Sequence, residues 1–83
     1  MATDRAAIRA ALAAYVARLC GQPGLVLAGA ARLDEIEGMD SMKWIETIAV
    51  LEERLRVEIE THDLEAMLVV EDVVELLARA RPR

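Results

Sequence analysis

Gly38-Met39-Asp40-Ser41-Met42 is the stretch on which the reading of this chain turns. Gly38 takes positive φ at no steric cost, so it can swing the backbone sharply into a new element. Asp40 and Ser41 are both good N-cap residues, and helical periodicity runs on from Met42, so a helix starts within a residue of Ser41. The first N–H groups of that helix lack internal partners, and its macrodipole adds partial positive charge there. A phosphate carried on Ser41 would therefore sit at a natural anion site. Asp40 opposes this as a like charge unless it caps the helix or helps hold a metal. Taken alone, Asp-Ser ahead of a helix is most often simply a cap.

Outward from this point the chain reads as helices. The second helix, about 41 to 56, carries Trp44, Ile48, Leu51 and Leu55 at spacings of a core-facing stripe. Met42, Ile45 and Ala49 form a second, shorter apolar line flanked by Glu46, Glu52 and Glu53. An apolar line edged by carboxylates reads as a docking surface. Methionine adapts to varied shapes, and the acids, Asp40 among them, steer a basic partner.

Before that helix, Thr3 or Asp4 can cap a first helix running to about Cys20, with Ile8, Leu12, Tyr15, Val16 and Leu19 on one face. Seven alanines between Ala6 and Ala17 favour helix and leave a thin wall for close packing. Gly21 and then Gln22-Pro23-Gly24 stop it. Residues 21–40 form a long connection, pinned across the bundle by Leu25, Val26, Leu27, Leu33 and Ile36; no strand is expected, since nothing nearby offers a pairing partner. After the second helix, Thr61 to Met67 suggests a short third helix capped by Thr61, with Leu64 and Met67 inward. A fourth runs from Val70 to about Ala80 with Val73, Val74 and Leu77 inward, and Pro82 ends it. The expected fold is all-α: a small four-helix bundle, three longer helices and a short third, with a long loop between helices 1 and 2, in one domain over 1–83.

Composition narrows the function. The chain has 83 residues, aliphatic apolar content, no Phe and one each of Trp and Tyr, which suits a small helical core. No apolar run approaches the length of about 18 residues that a membrane span needs, and the first residues do not resemble a signal peptide. The lone Cys20 rules out an internal disulfide and suits the cytoplasm. The net charge of −5 conceals a division: residues 34–75 hold fourteen acids against Lys43, Arg54 and Arg56, whereas both flanks are basic. That acidic middle argues against nucleic acid and complements a basic protein surface. His62 is the only histidine, twenty-one residues from Ser41, and no Gly-x-Ser-x-Gly elbow, metal set or phosphate-binding loop accompanies it. Intrinsic catalysis is not expected, and no metal site.

The run Leu33-Asp-Glu-Ile-Glu-Gly-Met-Asp-Ser-Met42 closely resembles the attachment signature of acyl carrier proteins, in which an acidic-apolar lead and a Gly precede Asp-Ser-Leu or Asp-Ser-Met. The likeness continues through Ile45-Glu46, Leu51-Glu52-Glu53, Leu55 and Val57-Glu58-Ile59. It returns weakly at Val70 to Val74, and covers about residues 30–80. The resemblance implies that Ser41 carries a covalent 4′-phosphopantetheine derived from coenzyme A, whose thiol holds acyl cargo as a thioester. It implies a phosphopantetheinyl transferase as partner, together with acyl-loading and acyl-processing enzymes, and a stand-alone, monomeric carrier whose second helix is the main recognition element.

This sequence departs from that pattern at several positions. Lys43 replaces a frequent acid, Trp44 a small residue, Thr47 a core Leu and Glu60 a frequent Pro, and the fourth helix lacks its usual Thr cap. Trp44 and Thr47 would alter a pocket between the helices, which points away from a housekeeping fatty-acid carrier and toward a polyketide, amino-acid or starter-unit carrier. Gly-Met-Asp-Ser favours the acyl type over the Gly-Gly-His/Asp-Ser lead of peptidyl carriers, while Asp-Ser-Met is also similar to D-alanyl carriers. The alternative from another class is an unmodified helical adaptor that uses its acidic second helix only to bind.

Overall fold

The computed structural model describes residues 4–83. Helix α1 spans Arg5–Cys20, α2 Ser41–Leu55, α3 Thr61–Leu64 and α4 Val70–Arg79, so the bundle expected from the apolar periodicity is present. Asp4 caps α1, its carboxylate accepting from the Ala6 N–H at 3.2 Å, while Thr3 lies outside the described residues. Gly21 closes α1 in the left-handed region at φ 65°, and the Gln22 N–H returns to the Ala17 carbonyl at 2.9 Å.

The core is built where the three longer helices meet. Ile8, Leu12 and Val16 of α1 pack with Trp44, Ile48 and Leu51 of α2 and with Val70, Val73, Val74 and Leu77 of α4. Thr47 is buried among them, and its hydroxyl donates to the Lys43 carbonyl one turn back at 2.7 Å. A polar residue at a core position is thereby satisfied inside its own helix. Tyr15 and Leu19, placed on the inward face by spacing, are only half buried, as is Leu55. Arg5 pairs with Glu75, and Arg9 with Glu71 at 2.6 Å, which fixes α1 and α4 as antiparallel neighbours. Such exposed pairs set register more than they add stability.

The loop of residues 21–40 departs from expectation. Leu27 and Leu33 are buried and Leu25 and Ile36 half buried, but Val26 stands 86% exposed. The loop also finds a pairing partner after all: Arg32 bridges Val69, the Leu33 N–H donates to the Leu68 carbonyl at 3.0 Å, and the Val70 N–H donates to Ala31 at 2.9 Å. The partner lies about forty residues onward, invisible to a local reading. A short turn of 3₁₀ helix, Leu33–Glu35, follows.

The chain also has two short strands that periodicity did not suggest. Strand β1, Val57–Glu58, pairs antiparallel with β2, Arg81–Pro82, with Val57 opposite Pro82. Thus α4 ends at Arg79, Ala80 is already extended, and Pro82 lies within the strand rather than marking the helix end. Glu60 occupies the N-cap position of α3 without a side-chain capping bond, Thr61 is the first residue of the helix, and the helix stops at Leu64, short of Met67. Where α4 lacks a Thr cap, Asp72 acts from inside the helix, its carboxylate accepting from the Leu68 and Val69 N–H groups at 2.9 and 3.0 Å.

Candidate functional site

The site is the turn into α2. Gly38 has φ +89°, and a side chain there would come within 3.1 Å of the Cys20 Cβ, so both backbone shape and the close approach of α1 require glycine. The Met39 N–H closes onto the Ile36 carbonyl at 3.1 Å. Asp40 is then extended, and its Oδ1 accepts from the Lys43 N–H at 2.8 Å, while its carbonyl accepts from Trp44 at 3.0 Å. Lys43 reaches back so that its Nζ donates to the Gly38 carbonyl at 2.7 Å, closing the turn from the other side.

This division of labour decides what Ser41 can do. Asp40 performs the capping, so Ser41 is the first helical residue, exposed, with its hydroxyl not spent on the cap. Of the N–H groups that open the helix, that of Lys43 is taken by the Asp40 carboxylate and that of Trp44 makes the first helical bond, while those of Ser41 and Met42 have no partner among the described residues. An exposed hydroxyl beside free N–H donors at a dipole's positive end suits an attached phosphodiester.

Beside Ser41 lies a groove of about 560 Å³, within the size range of small-molecule sites. Its inner wall is Leu33, Trp44 and Ile48, which are buried, with half-buried Met39, Leu64 and Met67. Ser41, Ile45, Asp34, Asp40 and Glu65 complete the lining and are exposed. The Trp44 Nε1–H donates to the Leu33 carbonyl at 3.2 Å, fixing the indole as a wall. Of the two departures suspected of altering an inter-helix pocket, only Trp44 lines this groove; Thr47 is sealed in the core. The inward positions of Leu64 and Met67 were legible from spacing. Leu33 and Met39 as walls were not, because the loop's path places them.

On the outer face of α2, Met42 and Ile45 are 74% and 55% exposed, with Ala49, Glu46 and Glu53 also in solvent. The Glu46 carboxylate accepts from the Tyr15 hydroxyl at 2.8 Å, and this bond, with the negative charge beside it, raises the phenol above its ordinary value. Glu52 turns elsewhere: half buried, it accepts from the Ile59 N–H at 2.9 Å and holds the segment after β1. His62 is exposed beside Asp63 at 3.4 Å. Among the described residues no group of His, Cys, Asp and Glu is placed to hold a metal, and no helix is long and apolar enough to cross a membrane.

A family model described as phosphopantetheine attachment site matches residues 10–77. Among solved structures, the solution NMR structure of a holo acyl carrier protein from Geobacter metallireducens matches with a TM-score of 0.71 and 20% sequence identity, covering 83% of this chain and 79% of that one. At that identity it speaks to the fold. No curated protein matches the chain.

Proposed function

The chain belongs to the phosphopantetheine-attachment family, and from that premise we propose that Ser41 is the residue that bears the arm. Membership makes the chain a carrier rather than an enzyme, with a covalent 4′-phosphopantetheine and, as partners, a phosphopantetheinyl transferase and enzymes that process the cargo. The observation that carries the assignment is the relief of Ser41 from capping by Asp40, which leaves an exposed hydroxyl at the start of α2.

In the proposed loading step the Ser41 Oγ attacks the β-phosphate of coenzyme A. The Oγ–P bond forms as the pyrophosphate P–O bond breaks, adenosine 3′,5′-bisphosphate leaves, and the serine proton passes to a base of the transferase. The residues present fit the group: the Ser41 and Met42 N–H groups face no competing acceptor, and Lys43 and Asp40 hold the turn rigid. Met42, Ile45, Ala49, Glu46 and Glu53 form the docking face of this reading, with a small apolar contact and charge steering that let partners leave quickly. Asp40, also expected there, is exposed and caps the start of α2, while Glu52 is half buried and holds the segment after β1. The chain is read as a single carrier domain, monomeric and cytoplasmic, and Trp44 in the groove favours a specialised polyketide-type or starter-unit role over a housekeeping fatty-acid one.

Incubation with coenzyme A and a broad-specificity transferase, followed by intact mass, tests the assignment. The expected result is a gain of one phosphopantetheine that Ser41→Ala abolishes. An unchanged wild-type mass would instead leave the unmodified adaptor.

A further inference from the structure

We propose that Gln22 and Lys43 are positioning residues for the loading of Ser41, gripping the two successive carbonyls that lead into α2. The inference deepens the attachment reading and rests on it. Gly38 turns the chain at φ +89°, and among the described residues neither the Glu37 nor the Gly38 carbonyl accepts a backbone N–H. Two side chains take that place. The Gln22 Nε2 donates to the Glu37 carbonyl at 2.8 Å, and the Lys43 Nζ donates to the Gly38 carbonyl at 2.7 Å.

The two grips come from different helices. Lys43 is the third residue of α2, and Gln22 follows the residue that closes α1. Gln22 is itself fixed: its N–H donates to the Ala17 carbonyl at 2.9 Å, and its carbonyl accepts from the Leu25 N–H at 3.2 Å. Its amide therefore reaches the turn from a backbone closed on both sides. A turn held at one carbonyl can pivot about it. Held at two, and with Asp40 on the Lys43 N–H, it presents Ser41 in one attitude to a partner docked on α2. That attitude matters for the reaction, because reacting atoms misplaced by about 1 Å lose on the order of 10²-fold in rate. Neither grip belongs to the docking face, so losing them acts on the chemical step and not on the encounter.

Single-turnover loading from coenzyme A, with a broad-specificity transferase in excess, separates those two effects. Gln22→Met and Lys43→Met should each lower the saturating rate roughly fivefold, and together by about 10²-fold, more than their product, because each grip holds the turn when the other is lost. The transferase concentration that gives half the maximal rate should hold steady or, with Lys43→Met, fall, since a cation leaves an acidic helix. Lys43→Arg keeps a donor and should recover most of the rate. In the unmodified chain, hydrogen exchange at the Met39 N–H, which closes the turn onto Ile36, should quicken in the double variant while the Leu51 amide stays protected. Saturating rates equal to wild type, a loss confined to the half-saturation concentration, no recovery with Lys43→Arg, unchanged Met39 exchange, or a loss that disappears on correction for folded fraction by circular dichroism would overturn the proposal. A wild-type chain that gains no mass at all would bring down the attachment reading, and this one with it.

Discussion

The hydroxyl of Tyr15 donates to the carboxylate of Glu46 at 2.8 Å, tying α1 to the solvent face of α2. One of the acids of the proposed docking face is therefore held in place by the neighbouring helix. The pair joins a structural task to a functional one, and the two tasks can be separated experimentally.

Glu46→Lys combined with Glu53→Lys is expected to slow loading by the transferase roughly tenfold at low ionic strength, with the gap closing as salt rises. Tyr15→Phe breaks the same hydrogen bond but keeps the charge, so it should leave the salt dependence intact. Loading rates over a salt series check this. Equal slowing by both variants would mean that the helix contact, not charge, governs docking.

Asp40→Ala is expected to cost about 1 kcal/mol, because the Lys43 N–H loses its acceptor at the start of α2. Asp40→Asn keeps an acceptor oxygen and should cost less. Urea unfolding monitored by helical circular dichroism gives both values. A full loss with Asn would assign the effect to charge instead of the cap.

Leu51→Ala should destabilise by about 2–5 kcal/mol, a large share of what so small a domain has, since Leu51 is fully buried between the helices. Val26→Ala, at a residue 86% exposed, should stay within about 0.5 kcal/mol. Unfolding midpoints of the two variants would rank them directly.

Arg56 ends α2 in the left-handed region at φ 57°, a conformation strained for a residue with a Cβ. Arg56→Gly removes the strain at some cost in unfolded-chain entropy, so a net gain of up to about 1 kcal/mol is expected. The test is a higher urea midpoint at unchanged slope.

Two N–H groups, those of Leu68 and Val69, hold the Asp72 carboxyl below its ordinary 3.8, and Arg5 does the same to Glu75, below its ordinary 4.5. A folded-state value that is depressed contributes stability above the unfolded value and loses it as pH falls through the folded one. Thermal midpoints should therefore hold steady toward neutral pH and fall once pH drops below about 4. Asp72→Asn should lower the plateau and flatten the acid limb. Curves that remain parallel down to the lowest pH would remove Asp72 from the account.

Position along the chain governed how much could be read in advance. The Ile8, Leu12 and Val16 stripe, the Trp44, Ile48 and Leu51 stripe, the stop at Gly21 and the turn at Gly38 were legible because helical periodicity and caps act over a few residues. The pairing of Val57 with Pro82 and the bridge from Arg32 to Val69 were not, because strand partners distant in sequence leave no local signature. Val26 was misplaced for a related reason: in a loop without periodicity, an apolar residue does not declare which way it faces.

The sequence by itself determined four helices, an acidic middle and a serine at the start of the second helix. These follow from side-chain spacing, charge count and capping chemistry, all short-range properties. Only the tertiary structure decided that Asp40 and not Ser41 spends its side chain on the cap. It also decided that Glu46 answers to Tyr15 while Glu52 turns inward to Ile59, and that Leu33 and Met39 join Trp44 in a groove. Each of these depends on which of several local options the packed neighbours leave open, and that choice is settled by contacts between residues far apart in the chain.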